Sequence, residues 1–131
     1  MIELKVKTKN RVEFIDLTAE IRDTISKNGY RDGLLTIFVP HTTAGITINE
    51  NADGDVITDI VKSLEKLVPF KDGYLHIEGN SDAHIKSSLI GSSVSIIIEN
   101  GELKLGVWQG IYFCEFDGPR TRTVWMKFIR L

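Results

Sequence analysis

Apolar and polar residues alternate at both ends of the chain, and between the ends the period changes three times to that of a helix. Ile2, Leu4 and Val6 alternate with Glu3, Lys5 and Lys7, the pattern of a strand with one wet face. After a turn at residues 8–10, Val12, Phe14 and Asp16 continue as a second strand, predicted to form a hairpin with the first. Thr18 is placed to cap a helix over 19–28, with Ile21 and Ile25 on one face and Gly29 as the stop. LLTIFV at 34–39, bounded by Gly33 and Pro40, predicts a fully buried strand. GITINE at 45–50 alternates again, Ile46 and Ile48 on one side, Thr47 and Asn49 on the other. Asp53 caps a helix over 54–67, in which Ile57, Ile60, Val61, Leu64 and Leu67 fall at helical spacing until Pro69 ends the pattern.

Residues 70–80 read as loop with a short strand at 74–77. Ser81 or Asp82 then caps a short helix over 83–89, on which Ile85 and Leu89 share the face expected to anchor it to the core. VSIIIE at 94–99 is a buried strand, Asn100-Gly101 a type I′ turn, and the run 102–116 its returning partner, with Gly106 and Gly110 marking bulges or close backbone approach. After the turn DGPR at 117–120, TRTVWMKFIR closes the chain as another alternating strand. Many short strands with two to three helices inserted mid-chain predict one α+β domain over 1–131, a two-layer, largely antiparallel β-sandwich.

Charge narrows the class. Sixteen basic and eighteen acidic residues, spread evenly, give a net charge of -2, so the basic face that nucleic acid requires is absent. Arg120, Arg122, Lys127 and Arg130 form the one local excess and read as a solvated strand face. The single cysteine, Cys114, excludes an intrachain disulfide and fits a reducing compartment; set in IYFCEF it reads as a buried, inert thiol. No signal-peptide pattern and no run of membrane-spanning length is present, so no membrane partner and a cytoplasmic location are expected.

Two polar knots carry the candidate chemistry: PHTTAGITINENADGD at 40–55 and HIEGNSDAHIKSSLIG at 76–91. All three histidines, His41, His76 and His84, fall in them, enough for one three-imidazole metal site, although no HExxH or paired-cysteine motif supports it. His41 follows a buried strand and stands beside Thr42 and Thr43, at a sheet end where ligands commonly bind. Glu50 ends a strand and is a candidate general base, a partner orienting a ligating His, or a hard ligand for magnesium; Asp82 is balanced between helix capping and catalysis. The amides of EGNSDA, which include Asn80, could hold a phosphate at a helix start, and Arg120 after Pro119 is a candidate phosphate clamp. Trp108 and Gln109 could supply a stacking plane and an amide, while no GxxxxGK[ST] or GxGxxG is present.

Together, PHTTAGITINENADGDV at 40–56, HIEGNSDAHIKSSLIG at 76–91 and NGELKLGVWQGIYFCEFDGPR at 100–120 resemble the secondary thiamine-phosphate synthase family. The resemblance implies an α+β domain containing a β-sandwich, a homotrimer, and a His-lined site for a divalent metal, zinc or magnesium, and small anions. By motif it places His41 in a His-Thr-Thr-Ala stretch, Glu50 and Asn51 in Asn-Glu-Asn, His84 in Asp-Ala-His, and His76 ahead of Gly-Asn. Val107 departs from the Gly-Thr-Trp-Gln that the family usually shows at 106–109. The function expected from it is a metal-dependent enzyme acting on a small phosphorylated metabolite, joining a pyrimidine diphosphate to a thiazole phosphate with release of pyrophosphate. His41, His76 and His84 would hold the metal; Glu50, Asp82 and Arg120 would be catalytic; Thr42, Thr43, Asn51, Asn80, Gln109 and Arg120 would bind the anion. Hydrolysis by metal-bound hydroxide and a non-catalytic metal- or metabolite-binding protein stand as alternatives, as do histidines satisfied inside a trimer interface.

Overall fold

Eight strands and three helices follow in the order β1 (Ile2–Lys7), β2 (Glu13–Asp16), α1 (Thr18–Asn28), β3 (Gly33–Phe38), β4 (Ala44–Glu50), α2 (Gly54–Leu67), α3 (Ser81–Ile90), β5 (Ser93–Glu99), β6 (Glu102–Leu103), β7 (Gln109–Glu115) and β8 (Thr121–Arg130). The computed structural model describes residues 1–131. The strands form two sheets, one of five in the order β1-β8-β3-β5-β6 and one of three in the order β2-β7-β4. All pairings are antiparallel, so the α+β class with a largely antiparallel β-sandwich is what the chain adopts.

The core lies between the sheets. Leu35, Ile37, Ile96, Val124 and Met126 of the larger sheet join Ile46, Ile111 and Phe113 of the smaller one, and Ile21 and Ile25 of α1 complete the cluster. Strand β7 runs through the middle of the smaller sheet and is buried on both faces from Gly110 to Glu115. Its other face, Tyr112 and Cys114, forms a second cluster with Ala83 of α3 and Phe116, against which Ile57 and Leu64 of α2 pack. Helices α2 and α3 thus add a layer over the smaller sheet. The outer face of the larger sheet carries none, leaving Ile97 60% and Ile129 49% exposed.

Several elements match the residues predicted for them and others differ for identifiable reasons. Helix α2 is capped by Asp53, whose carboxylate accepts the Asp55 N–H at 2.9 Å. The Asn100-Gly101 turn has both residues at positive φ, 53° and 77°. Strands β1 and β2, expected as a hairpin, belong to different sheets: β1 pairs with β8 and β2 with β7. The connection between them crosses from sheet to sheet beside the β7–β8 turn, which crosses too. Thr8 N–H donates to the Arg120 carbonyl and Gly118 N–H to the Arg11 carbonyl, each at 3.0 Å, tying the two crossings together. The run 102–116 divides likewise: Glu102 and Leu103 pair with β5, then the chain leaves and Gln109–Glu115 enters the other sheet. Residues 74–77 form no strand.

Two helix starts also differ. Thr18 is the first residue of α1; Asp16 accepts its N–H at 2.9 Å, while the Thr18 hydroxyl accepts the Ile111 N–H at 2.9 Å. Helix α3 spans 81–90 and is turned round from its apolar pattern. Its buried residues are Asp82, Ala83, Lys86 and Ser87, while Ile85 and Leu89 stand 40% and 57% exposed. Charge pairing explains the inversion: Arg11 donates two hydrogen bonds to Asp82 at 3.0 Å each, and Lys86 donates to Glu65 at 2.6 Å. Buried charges that satisfy one another can be accommodated where lone ones cannot. The end of α3 presses on β4 so closely that a Cβ at Gly45 would lie 2.7 Å from the Gly91 carbonyl oxygen, which fixes the helix against the strand that follows His41.

Candidate functional site

His41 follows β3 by three residues, and its Nε2 accepts the Thr123 N–H from β8 at 3.0 Å. That bond puts the ring proton on Nδ1. Burial pushes the His41 pKa below its ordinary value and the neighbouring Arg122 charge lowers it further, so the ring is held neutral. Next along, Thr43 is buried and its hydroxyl accepts from Arg122 Nη2 at 2.9 Å. Arg122 is itself buried and paired with buried Glu115, to which Thr8 also donates at 2.8 Å. Burial would raise the Glu115 carboxyl, but the hydrogen bonds from Arg122, the Asp117 N–H and Thr8 hold it below the usual carboxylate range.

Above this layer opens a polar cavity of about 670 Å³. Arg11 enters from the β1–β2 crossing, Thr42 and Thr43 from the approach to β4, Phe70, His76, Glu78 and Asn80 from the α2–α3 connection, His84 from α3, and Asp117 and Arg120 from the β7–β8 turn. Arg11 lies 4.1 Å over the Phe70 ring and is gripped by Asp82, whose hydrogen bonds raise its pKa and keep it charged. Arg120 donates from Nε to the Asp117 carbonyl at 3.0 Å and from Nη2 to the Asp117 carboxylate at 3.1 Å. The same carboxylate accepts from Asn80 Nδ2 at 2.9 Å. Asn80 Oδ1, by contrast, is the one buried side-chain polar atom in the chain without a hydrogen-bond partner. The His76 and His84 rings meet edge-on, centroids 5.4 Å apart.

Of the residues expected at the site, the fold brings Thr42, Thr43, His76, Asn80, His84 and Arg120 to one cavity. His41 lines a neighbouring cavity of about 470 Å³ with Ser87, Ser88 and Ser92, and His84 is a wall of both. Glu50, Asn51 and Gln109 are not brought there. They sit at the far end of β4, roughly 20 Å along the strand at about 3.3 Å per residue. There the Glu50 carbonyl accepts the Tyr112 hydroxyl at 3.1 Å, Asn51 donates to Asp16 at 3.3 Å, and the Gln109 side chain accepts the Gly106 N–H at 2.7 Å. Asp82 is fully buried behind the cavity in its bonds to Arg11, so its carboxylate is a structural anchor with no access to a reacting group. Burial would raise that carboxyl, but Arg11 and Lys86 hold it low.

The donor set of a single chain does not fit the three-imidazole divalent centre that the resemblance implies. No three His, Cys, Asp or Glu side chains converge in metal-holding geometry. His76 and His84 supply two nitrogens, whereas His41 Nε2 is taken by a backbone N–H. Arg11, Phe70 and Asp117 are lining residues that sequence reasoning missed, and of Glu78 it singled out only the backbone amide. Arg11 carries no motif; Asp117 stands three residues before Arg120 in the DGPR turn, the one signal that could have flagged it.

A family model described as UPF0047 protein YjbQ-like matches residues 2–131. The chain belongs to this family. The UPF0047 protein MJ1081 of Methanocaldococcus jannaschii is 53% identical over 98% of the chain and 94% of its own length. The UPF0047 protein YugU of Bacillus subtilis is 51% identical over 96% of each. A crystal structure of an uncharacterized conserved YjbQ/UPF0047 family protein from Clostridium acetobutylicum has 58% identity and a TM-score of 0.95, covering 98% of this chain and all of that one. The resemblance read from the three polar stretches is corrected by these findings: the family is YjbQ-like UPF0047, a distinct one, and none of these relatives is named a thiamine-phosphate synthase. The expected metal-dependent transfer to or from a phosphorylated metabolite, its hydrolytic alternative included, falls with that assignment. No helix is long and apolar enough to cross a membrane.

Proposed function

We propose that this YjbQ-like protein binds a small phosphorylated ligand in the polar cavity between the two sheet crossings and α3. The observation that carries the proposal is convergence: two guanidinium groups, two threonines and two imidazoles, from five separate parts of the chain, line one cavity of about 670 Å³ whose single apolar residue is Phe70. Arg120 uses Nε and one Nη2 hydrogen on Asp117, leaving three of its five N–H donors for a ligand. Phosphate oxygens match such a fork, and charge-assisted bonds of this kind are the strong ones. Asp117 and Asn80 hold the guanidinium in place before any ligand arrives, which lowers the ordering cost of binding.

Calorimetric titration with inorganic phosphate at low ionic strength tests the proposal. Arg120→Ala is expected to weaken binding at least ~10-fold, the lower end of what a charge-assisted bond contributes. Glu50→Ala, at the far end of β4, is expected to leave it unchanged. A wild-type protein that takes up no phosphate at millimolar concentration would overturn the proposal. We also propose that the chain works as a homotrimer, supported by the uncovered outer face of the larger sheet, where Phe38 and Trp125 stack with centroids 6.0 Å apart. A cytoplasmic location, supported by the lone buried thiol of Cys114, completes this reading.

A further inference from the structure

The arginine-lined cavity is not the only depression at the His76–His84 pair. A second one, of about 440 Å³, shares both imidazoles and is otherwise lined by Tyr74, Leu75, Ser81 and Ile85. The two differ sharply in character. Apart from the imidazoles, the first presents charges, hydroxyls and an amide, with Phe70 as its only apolar residue; the second presents mostly carbon. Its apolar residues stand in water, Leu75 97% exposed and Ile85 40% exposed, and no other part of the chain covers them. Such surface gains free energy from any apolar group laid on it. Its aromatic wall is also pre-set, because the Tyr74 hydroxyl donates to the Pro69 carbonyl at 2.5 Å and cannot swing freely.

We propose that the ligand of this site is amphipathic: a phosphate monoester whose head is held by Arg120 and whose apolar body passes over the His76–His84 rings to lie on Tyr74, Leu75 and Ile85. This rests on the anion-binding proposal above and adds the chemistry of the other half of the ligand. The imidazole pair is the bridge, since its carbon edges suit an apolar body and its nitrogens can meet the ester end of a phosphate. Ile85, turned outward by the charge pairing of Asp82 and Lys86, stands where such a body can reach it.

Titration with inorganic phosphate, phenyl phosphate and phenol separates the two proposals. Phenyl phosphate is expected to bind at least ~10-fold more tightly than inorganic phosphate, with phenol far weaker than either. The double variant Leu75→Ser/Ile85→Ser, at two exposed positions, is expected to abolish the advantage of phenyl phosphate and leave phosphate binding as it was. Arg120→Ala is expected to weaken both. Equal affinity for the two phosphates, or an advantage that survives the double variant, would overturn the amphipathic ligand and leave the anion site standing. Phenyl phosphate binding indifferent to Arg120→Ala would overturn both.

Discussion

A ring nitrogen that accepts a backbone N–H must be unprotonated, so the bond from Thr123 to His41 makes the fold sensitive to acid at one residue. The folded pKa lies below the ordinary value of about 6.5, through burial first and the Arg122 charge second. A group lowered in this way favours the folded state above pH ~6.5, and that contribution is lost as pH falls through the folded value, because the unfolded chain takes up its proton first. His41→Gln keeps an acceptor and does not titrate. Urea denaturation between pH 7 and 5 should show a shallower loss of stability in this variant than in the wild type, and identical profiles would reject the assignment. The position of His41 at a strand end was legible in the sequence. Its partner, 82 residues away on β8, was not, since no local pattern encodes which amide arrives beside which ring.

Helix α3 shows how an element can be found and yet faced the wrong way. Its existence follows from the residues between Asn80 and Gly91, and its apolar spacing points Ile85 and Leu89 inward, but the buried face carries Asp82 and Lys86. Apolar periodicity reports hydrophobic gain alone; it is blind to a carboxylate that meets Arg11 from the β1–β2 crossing and an ammonium that meets Glu65 from α2. Asp82→Ala would remove both of Arg11's side-chain hydrogen bonds and leave buried Lys86 with Glu65 as its one partner, an expected loss of ~2–3 kcal/mol in urea denaturation. Ile85→Ser should cost less than ~0.5 kcal/mol, as at other exposed positions. The opposite order would show that the helix packs by its apolar face after all. Helix α2, whose bounds and Asp53 cap follow directly from its sequence, makes the complementary point: it buries no residue fully, so clear periodicity does not imply deep packing.

At the scale of the whole molecule, the class of fold was legible because the count and period of its strands exclude other arrangements, whereas the pairing was not. Two connections cross between sheets side by side, and only the mutual bonds of Thr8, Arg11, Gly118 and Arg120 reveal it. The same crossing delivers Arg11 and Arg120 to one cavity, so the site could not be assembled without the topology. On the outer face of the larger sheet, Ile97, Leu34 and Ile129 stand in register across β5, β3 and β8. Light scattering is expected to give three times the chain mass for the wild type and one chain mass for Ile97→Lys, with unchanged circular dichroism. A monomeric wild type would refute association through this face.

The rims of that sheet have a consequence of their own. One is β6, only two residues long, and the other is β1, whose outward positions are Glu3, Lys5 and Lys7. The charged β1 rim offers no neutral ladder of vacant amides to a stranger's strand, whereas β6 covers only Ile98 and Glu99 of β5. Along β1, at least, the like charges of Lys5 and Lys7 on neighbouring copies would resist threading edge to edge into a fibre.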